Sequence, residues 1–426
     1  MRLTIKNIGV IKEADIELSG LTVIAGENDS GKSTVGKLMF SIIKAMSKCK
    51  SELEESKEKD IEQAVERIYF YIRRSLFASN DDLRKLFHPR HFIDEINGSG
   101  AEALTDRINY LRKQEIYDGK AEKLFTNLKE VIDQDYDKES AIKRAFEKII
   151  YSEFKGGITR KRTKRPLVEI YEADYKILTI GFDKNRLSDF SLTDEFYFND
   201  SVVIETPMIL NLSESIRNSK SLFTSQDKQA RLHSLGRANI AFHIKDLETK
   251  LRDSAYQERL FSNPENDHLY RKMAEIIGGE ITFIKKQNEF VYFKGEEKHN
   301  IINVASGIKS FGILQMLLAV DFLDERTLIV LDEPEVHLHP NWQLKYAEII
   351  TLLVKEGFNI LVTTHSPYML EALERYSKKY EVEVNFYLAK EGVIKSKDNN
   401  ETLSETFGVL SQPFEVFREM DAEKLQ

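Results

Sequence analysis

Apolar residues recur along the chain with two distinct periods, and each predicts its own element. Over the first 25 residues Leu3, Ile5, Ile8, Ile11, Ile16 and Leu18 are separated by polar positions, as in half-buried strands. LTVIA at 21–25 is the continuous apolar run of a buried one. Two or three strands are expected there. From Val35 to about Ile43 the spacing turns helical, while Ser51 to Lys59 is a charged run without apolar spacing, read as a solvated bend or helix surface. Helical spacing returns in IEQAVERIYFYIRRSLF, AEALTDRINYLRKQ, AEKLFTNLKEVIDQ and AIKRAFEKIIYSEF, with a break at the Asn-Gly-Ser-Gly of 97–100. LVEIYEADYKILTIGFD alternates like a hairpin, and SVVIETPMIL reads as a buried strand ending at Pro207. Helix is expected to about Ile277, then a Gly278-Gly279 turn and two antiparallel strands in EITFIKKQNEFVYFKG.

TLIVLDEP at 327–334 and NILVTTHSP at 359–367 are apolar runs that end in polar residues, and a helix containing WQLKYAEIITLLV separates them. That rhythm is βαβ and predicts a parallel sheet. VNFYLAKEGVIKS supplies a last hairpin, and the tail TLSETFGVLSQPFEVFREMDAEKL reads as helical. No fixed-period repeat or low-complexity tract is present.

Composition narrows the class. With 426 residues, 41% hydrophobic and 31% charged, the chain can bury a sizeable core, either as two or three domains or as one domain with a large insertion. Its single cysteine, Cys49, excludes an internal disulfide framework. MRLTIKNIGV is no apolar leader and no run approaches the ~18 apolar residues of a membrane span, so a soluble, cytoplasmic protein is expected. A net charge of −8 argues against a generally basic coat for nucleic acid and leaves room for a local basic patch.

Four stretches carry chemistry. GENDSGKST, Gly26 to Thr34, lies between a strand and a helix, the context that GxxxxGKS requires. Gly26 and Gly31 let the backbone amides of the loop Glu27, Asn28, Asp29 and Ser30 close on phosphates, and Lys32 adds positive charge. The helix end adds more, and Ser33 would ligate Mg2+. At the end of the strand 328–331, Asp332 is expected to hold Mg2+ and Glu333 to polarise the attacking water. Thr363, Thr364 and His365 end the next strand, with His365 placed to sense a γ-phosphate and Ser366-Pro367 opening a helix. In NVASGIKSFG, Ser306 reads as the N-cap of a buried helix and Gly307 as a point of close backbone approach. A second anion-binding helix end is redundant within one site and sensible if it completes a neighbour's.

GENDSGKST, ASGIKS, LIVLDEPEVHLHP and VTTHSP, in this order behind KNIGVIKEADIEL, resemble the ABC-type ATPase heads of the structural-maintenance-of-chromosomes, RecF and OLD group. The resemblance implies an α/β head, a mixed sheet with flanking helices, carrying a large and mainly helical insertion. It divides the chain into an N-terminal lobe with the P-loop (1–46), the insertion with a strand segment near 167–210 that returns to the head (47–275), and a C-terminal lobe (276–426). It also implies a homodimer or higher homo-oligomer with ATP and Mg2+ at the interface. In it Ser306, Gly307 and Lys309 reach the partner's γ-phosphate, Glu333 is the catalytic glutamate and His365 the switch histidine, with EPEVHLHP at the dimer seam. The motifs cover about the first 45 residues and 280–390; no family pattern is quotable for the stretch between.

The signature departs from the LSGGQ of transporters, and the glutamine-loop residue is open among Glu205, Thr206, Gln226 and Gln287. Only about sixty residues follow His365, without the Asp-x-Asp of a Toprim nuclease, so no nuclease is expected in this chain. The likeness extends to ATPase subunits of two-component anti-phage systems of Septu, retron-associated or PARIS type, which implies a separate nuclease or toxin as effector. A RecF-like DNA-repair ATPase and a slowly hydrolysing scaffold that holds a partner are the alternatives.

Weaker signals remain. TRKRTKRP at 159–166 is either a solvated loop or a contact for nucleic acid or an acidic partner. His337 and His339, with His365, lack the cysteine or carboxylate set of a zinc site, and HPRH at 88–91 resembles a nuclease cluster only superficially. Tyr69, Phe70, Tyr71 and Phe77 read as helix packing rather than a stacking platform.

Overall fold

In a computed structural model the described residues are 1–75, 86–114, 117–134, 138–160, 163, 165–194, 196–219, 240–254, 267–319, 322–412, 416–418 and 420. Phe77 and Gln226 lie outside them, as do residues 161, 162 and 164 of the basic run. The chain opens with β1 (Arg2–Ile8), β2 (Ile11–Glu17) and β3 (Leu21–Gly26), then the 44-residue helix α1 (Lys32–Ser75). The charged run at 51–59 is therefore part of one long helix and not a bend, as its Glu and Lys content favours. Helices α2 (Pro89–Ser99), α3 (Ala103–Lys113), α4 (Gly119–Asp133) and α5 (Lys138–Phe154) follow.

Next come β4 (Leu167–Glu172), β5 (Tyr175–Asp183), β6 (Arg186–Leu192) and β7 (Asp200–Ile204), then α6 (Ile209–Arg217), α7 (Phe242–Asp253) and α8 (Asp267–Ile277). Strands β8 (Glu280–Ile284), β9 (Glu289–Lys294) and β10 (Glu297–Asn300) precede α9 (Ser306–Leu318) and β11 (Thr327–Asp332). The chain continues with α10 (Pro340–Lys355), β12 (Asn359–Thr364), α11 (Pro367–Tyr380), β13 (Val384–Lys390), β14 (Val393–Lys395) and α12 (Asn399–Leu410). No helix among the described residues is long and apolar enough to cross a membrane.

Two compact units result. One contains Met1–Ser47 and the described residues from Phe146 onward; the other is Lys48–Ala145. The first holds an 11-stranded mixed sheet in the order β6-β5-β4-β1-β2-β14-β13-β3-β12-β11-β7. Strands β13, β3, β12, β11 and β7 are mutually parallel, and their continuous apolar runs, such as Leu328 to Leu331, are buried on both faces. The remaining strands pair antiparallel except β14 with β2. Strands β8–β10 form a separate antiparallel sheet. Asp200, opening β7, takes Lys44 of α1 and Lys250 of α7, and Asp246 lies 2.8 and 3.4 Å from the same two ammonium groups. These charges tolerate burial because they are mutually paired.

In the second unit Ile61, Val65, Ile68, Phe92, Phe125 and Leu128 make one core. Arg107 is buried in it, with its guanidinium 4.0 Å above Phe92 and donating to Leu86 O, Ala103 O and Glu95. Tyr69 and Tyr71 pack against this core as expected, whereas Phe70 is exposed.

Candidate functional site

A parallel sheet delivers its strand ends to one edge, and here the ends of β3, β11, β12 and β13 lie side by side. Register pairs Asp332 with Thr363, Thr364 with Ala25, and Ala389 with Gly26. At the end of β3, Gly26 has φ +155, and a Cβ on it would stand 2.1 Å from Ala389 O, so no other residue fits. Gly31, at φ +100, admits Ile11, whose Cγ1 would lie 2.6 Å from an added Cβ. Asp29 also takes a positive φ, and the loop is closed by Ser30 Oγ donating to Glu27 O and Thr34 N to Gly31 O. Glu27, Asn28 and Asp29 are exposed on its outside.

Lys32 is buried. Its ammonium donates to Gly26 O at 2.9 Å and Glu27 O at 2.7 Å and stands 3.8 Å from Glu333 Oε1. Burial pulls this group below the ordinary lysine range, against the attraction of Glu333, Asp332 and Glu335. Ser33 Oγ donates to Asp332 Oδ1 at 2.9 Å, and Thr363 Oγ1 donates to the same oxygen. Burial raises Asp332 despite those two donors. A buried carboxylate so held, beside a serine hydroxyl, is a hard-oxygen donor pair suited to Mg2+.

Glu333 turns away from its neighbour because its backbone is left-handed, φ 49 and ψ 53, a conformation costing ~1 kcal/mol or more in a non-glycine residue. Its amide donates to Thr363 O at 3.0 Å, and Oε1 comes to 3.4 Å from His365 Nδ1. The two adjacent carboxylates thus serve different neighbours, Asp332 facing Ser33 and Glu333 facing Lys32 and His365. Ser366 caps α11, accepting from Met369 N, as the sequence suggests.

Glu335 was given no individual role from sequence, only a place in EPEVHLHP. It is buried, and Oε1 accepts from Thr364 Oγ1, His365 N and Ser366 N. Glu205, just beyond β7, was one of four glutamine-loop options. It meets Lys37 at 3.4 Å and His243 Nε2 at 2.9 Å, while His243 Nδ1 lies 2.6 Å from Glu153. Thr206 sits 3.5 Å from His337, and Gln287 accepts from Lys298 in the turn after β8.

The NVASGIKSFG stretch departs from expectation in three ways. Ala305, in extended conformation, is the N-cap of α9; Ser306 is the first helical residue and makes no cap bond. Gly307 does admit a close approach, but from a side chain of the same chain: an added Cβ would lie 3.0 Å from Trp342. Lys309 is buried and donates to Asn211 of α6 at 2.8 Å, so its ammonium is held within the chain. Burial lowers its ammonium.

Among the described residues no His, Cys, Asp and Glu group is arranged to hold a metal through three or more of those side chains. His339 instead caps α10, and the His88 ring lies tilted against that of His91 with centroids 5.7 Å apart.

The Glu153–His243–Glu205 chain makes stability depend on pH at both ends. Burial lowers His243, but hydrogen bonds to Glu153 and Glu205 outweigh it and raise it above 6.5; the His243 bond, opposed by burial and aided by Lys37, lowers Glu205 from 4.5 to about 2. The histidine's contribution is full below pH 6.5 and lost as pH rises through its raised pKa. That of Glu205 is full above 4.5 and lost as pH falls toward 2. Melting temperature measured from pH 5 to 9 should therefore fall less steeply on the alkaline side in His243→Gln than in wild type; parallel curves would contradict this assignment.

A strand, a glycine loop with an inward lysine at a helix start, and an Asp-Glu strand end opposite it make the frame of a phosphate-binding loop. The AAA ATPase domain profile (AAA_15) matches residues 1–370, and the chain belongs to that family. The match runs through the insertion for which sequence motifs offered no family pattern. A 49-residue stretch is 43% identical to Septu protein PtuA of Bacillus thuringiensis, covering 12% of each chain. Over 162 residues the chain is 28% identical to protein ea59 of Escherichia phage lambda, 37% of this chain and 29% of that one. The matches thus span less than a third of either relative's length. Among solved structures, an SMC head bound to the C-winged helix domain of ScpA is similar at 12% identity and a TM-score of 0.39, over 94% of this chain and 98% of that one.

Proposed function

We propose that this ATPase binds ATP with Mg2+ at the strand edge, pairs with a second copy around the nucleotide, and controls a separate nuclease or toxin in anti-phage defence. The carrying observation is the junction of Ser33 Oγ with Asp332 Oδ1 at 2.9 Å beside Lys32 and Glu333 at 3.8 Å. It brings a donor pair for Mg2+, a cation for phosphate and a base for water to one spot. Bound Mg2+ would neutralise charge on the phosphates. Lys32 binds and orients the phosphates, Glu333 takes the proton of the attacking water, and His365 lies within reach of that carboxylate. Glu333 is free to do so because its left-handed backbone turns it from Asp332.

The pairing surface is the start of α9. Ala305 is exposed, Ser306 and Gly307 are half-buried, and Met208, Leu212, Ile302 and Val336 are exposed apolar residues of α6 and of the segments flanking the site. Lys309 braces α9 on α6 from inside and leaves the helix N-terminus, a positive pole, to face a second nucleotide. The PtuA likeness supports the defence setting. Mass measured with ATP and Mg2+ tests the pairing. Wild type should double or assemble further, while Ser306→Arg should keep ATP binding and stay monomeric. If pairing survives, Ser306-Gly307 is only a helix start.

A further inference from the structure

The acidic turn holds three carboxylates in four residues, and the third is unexplained by ATP chemistry alone. Glu335 lies in a short 3-10 turn, Pro334–His337, yet its side chain is buried. Oε1 accepts three hydrogen bonds, from Thr364 Oγ1 at 2.6 Å, His365 N at 2.8 Å and Ser366 N at 3.1 Å. These span the segment that carries His365. Oε2 is buried with no hydrogen-bond partner among the described residues. The imidazole Nδ1 lies 3.5 Å from Glu335 Oε1 and 3.4 Å from Glu333 Oε1, bonded to neither.

We infer that Glu335 is a positioning residue for His365: it fixes the backbone on which the histidine turns and offers Nδ1 a second carboxylate, so that Glu333 is left to the attacking water. This rests on the reading of Glu333 and His365 given above. A charged acceptor receiving three donors is strongly held, and deleting it would strand Thr364 Oγ1 and the His365 amide, while Ser366 N keeps Thr364 Oγ1 as a second acceptor. The segment has another anchor, since Gln343 accepts from Ser366 Oγ and donates to Leu338 O, so a conservative change at 335 need not unravel it.

The test is a double-mutant cycle on the full chain with Glu335→Gln and His365→Ala, reading kcat and KM for ATP together with melting temperature. Glutamine keeps one carbonyl acceptor and removes the charge. The expected result is a kcat lower by roughly 10- to 100-fold with KM nearly unchanged, the scale on which groups that orient functional side chains act. In the His365→Ala background the same change should cost almost nothing further, because Glu335 acts through that ring. Glu335→Asp, shorter but charged, should recover part of kcat. Equal losses in both backgrounds, or a glutamine variant that melts lower but turns over normally, would overturn the inference. A His365→Ala protein with full activity would instead remove the role of the histidine on which the inference is built.

Discussion

A Glu333→Gln protein should bind ATP as wild type does and hydrolyse it on the order of 10²–10⁴ times more slowly, the contribution of a positioned general base. Glutamine is isosteric and can occupy the same left-handed backbone, so the loss isolates the proton acceptor. It also keeps an oxygen for the neighbourhood of Lys32 and His365, which the carboxylate approaches to 3.8 and 3.4 Å. Single-turnover hydrolysis against equilibrium binding of a fluorescent ATP analogue separates the two effects. Hydrolysis undiminished in this variant would move the base elsewhere.

Lys32→Ala should weaken ATP binding by roughly 10- to 100-fold or more, since about 1.5–3 kcal/mol attaches to a hydrogen bond with a charged partner. The side chain is buried between Gly26 O, Glu27 O and the acidic pair, so no other ammonium can substitute from solvent. Calorimetric titration with ATP and Mg2+ measures the loss; a variant that binds as tightly as wild type would sink the phosphate cradle.

What sequence made legible was whatever lay within one contiguous stretch. GENDSGKS, LDEP and THSP each follow an apolar run, and a parallel sheet brings the ends of such runs to one edge, as register places Asp332 beside Thr363. Glu335 stood in the EPEVHLHP motif assigned to the dimer seam, but its own contacts were not legible because its partners are 29 to 31 residues away. His243 was hidden for the same reason, its carboxylates lying 38 and 90 residues distant. Strand β6, RLSDFSL, is a polar sheet edge without clean alternation, so it lies inside the strand segment expected near 167–210 without being legible as a strand of its own.

Ser306 illustrates the opposite error. A serine before an apolar run is the usual capping signal, but the helix begins one residue earlier in backbone terms, with Ala305 extended and the hydroxyl unused for capping. The glycine beside it suggested a close backbone approach, and the ring of Trp342, the sole tryptophan of the chain, takes that place. Lys309 was given to a partner's γ-phosphate from the resemblance alone, and its bond to Asn211 was not legible because that residue is 98 residues away.

We propose that one ATP is hydrolysed by Lys32 of one copy with Ser306 of another, and mixing tests this directly. Lys32→Ala and Ser306→Arg proteins should each be inactive alone, and an equimolar mixture should regain steady-state ATP turnover, because a mixed pair assembles one intact phosphate loop opposite one intact helix start. A mixture as inactive as its components, or a Ser306→Arg protein that is active alone, would contradict a site shared between two copies.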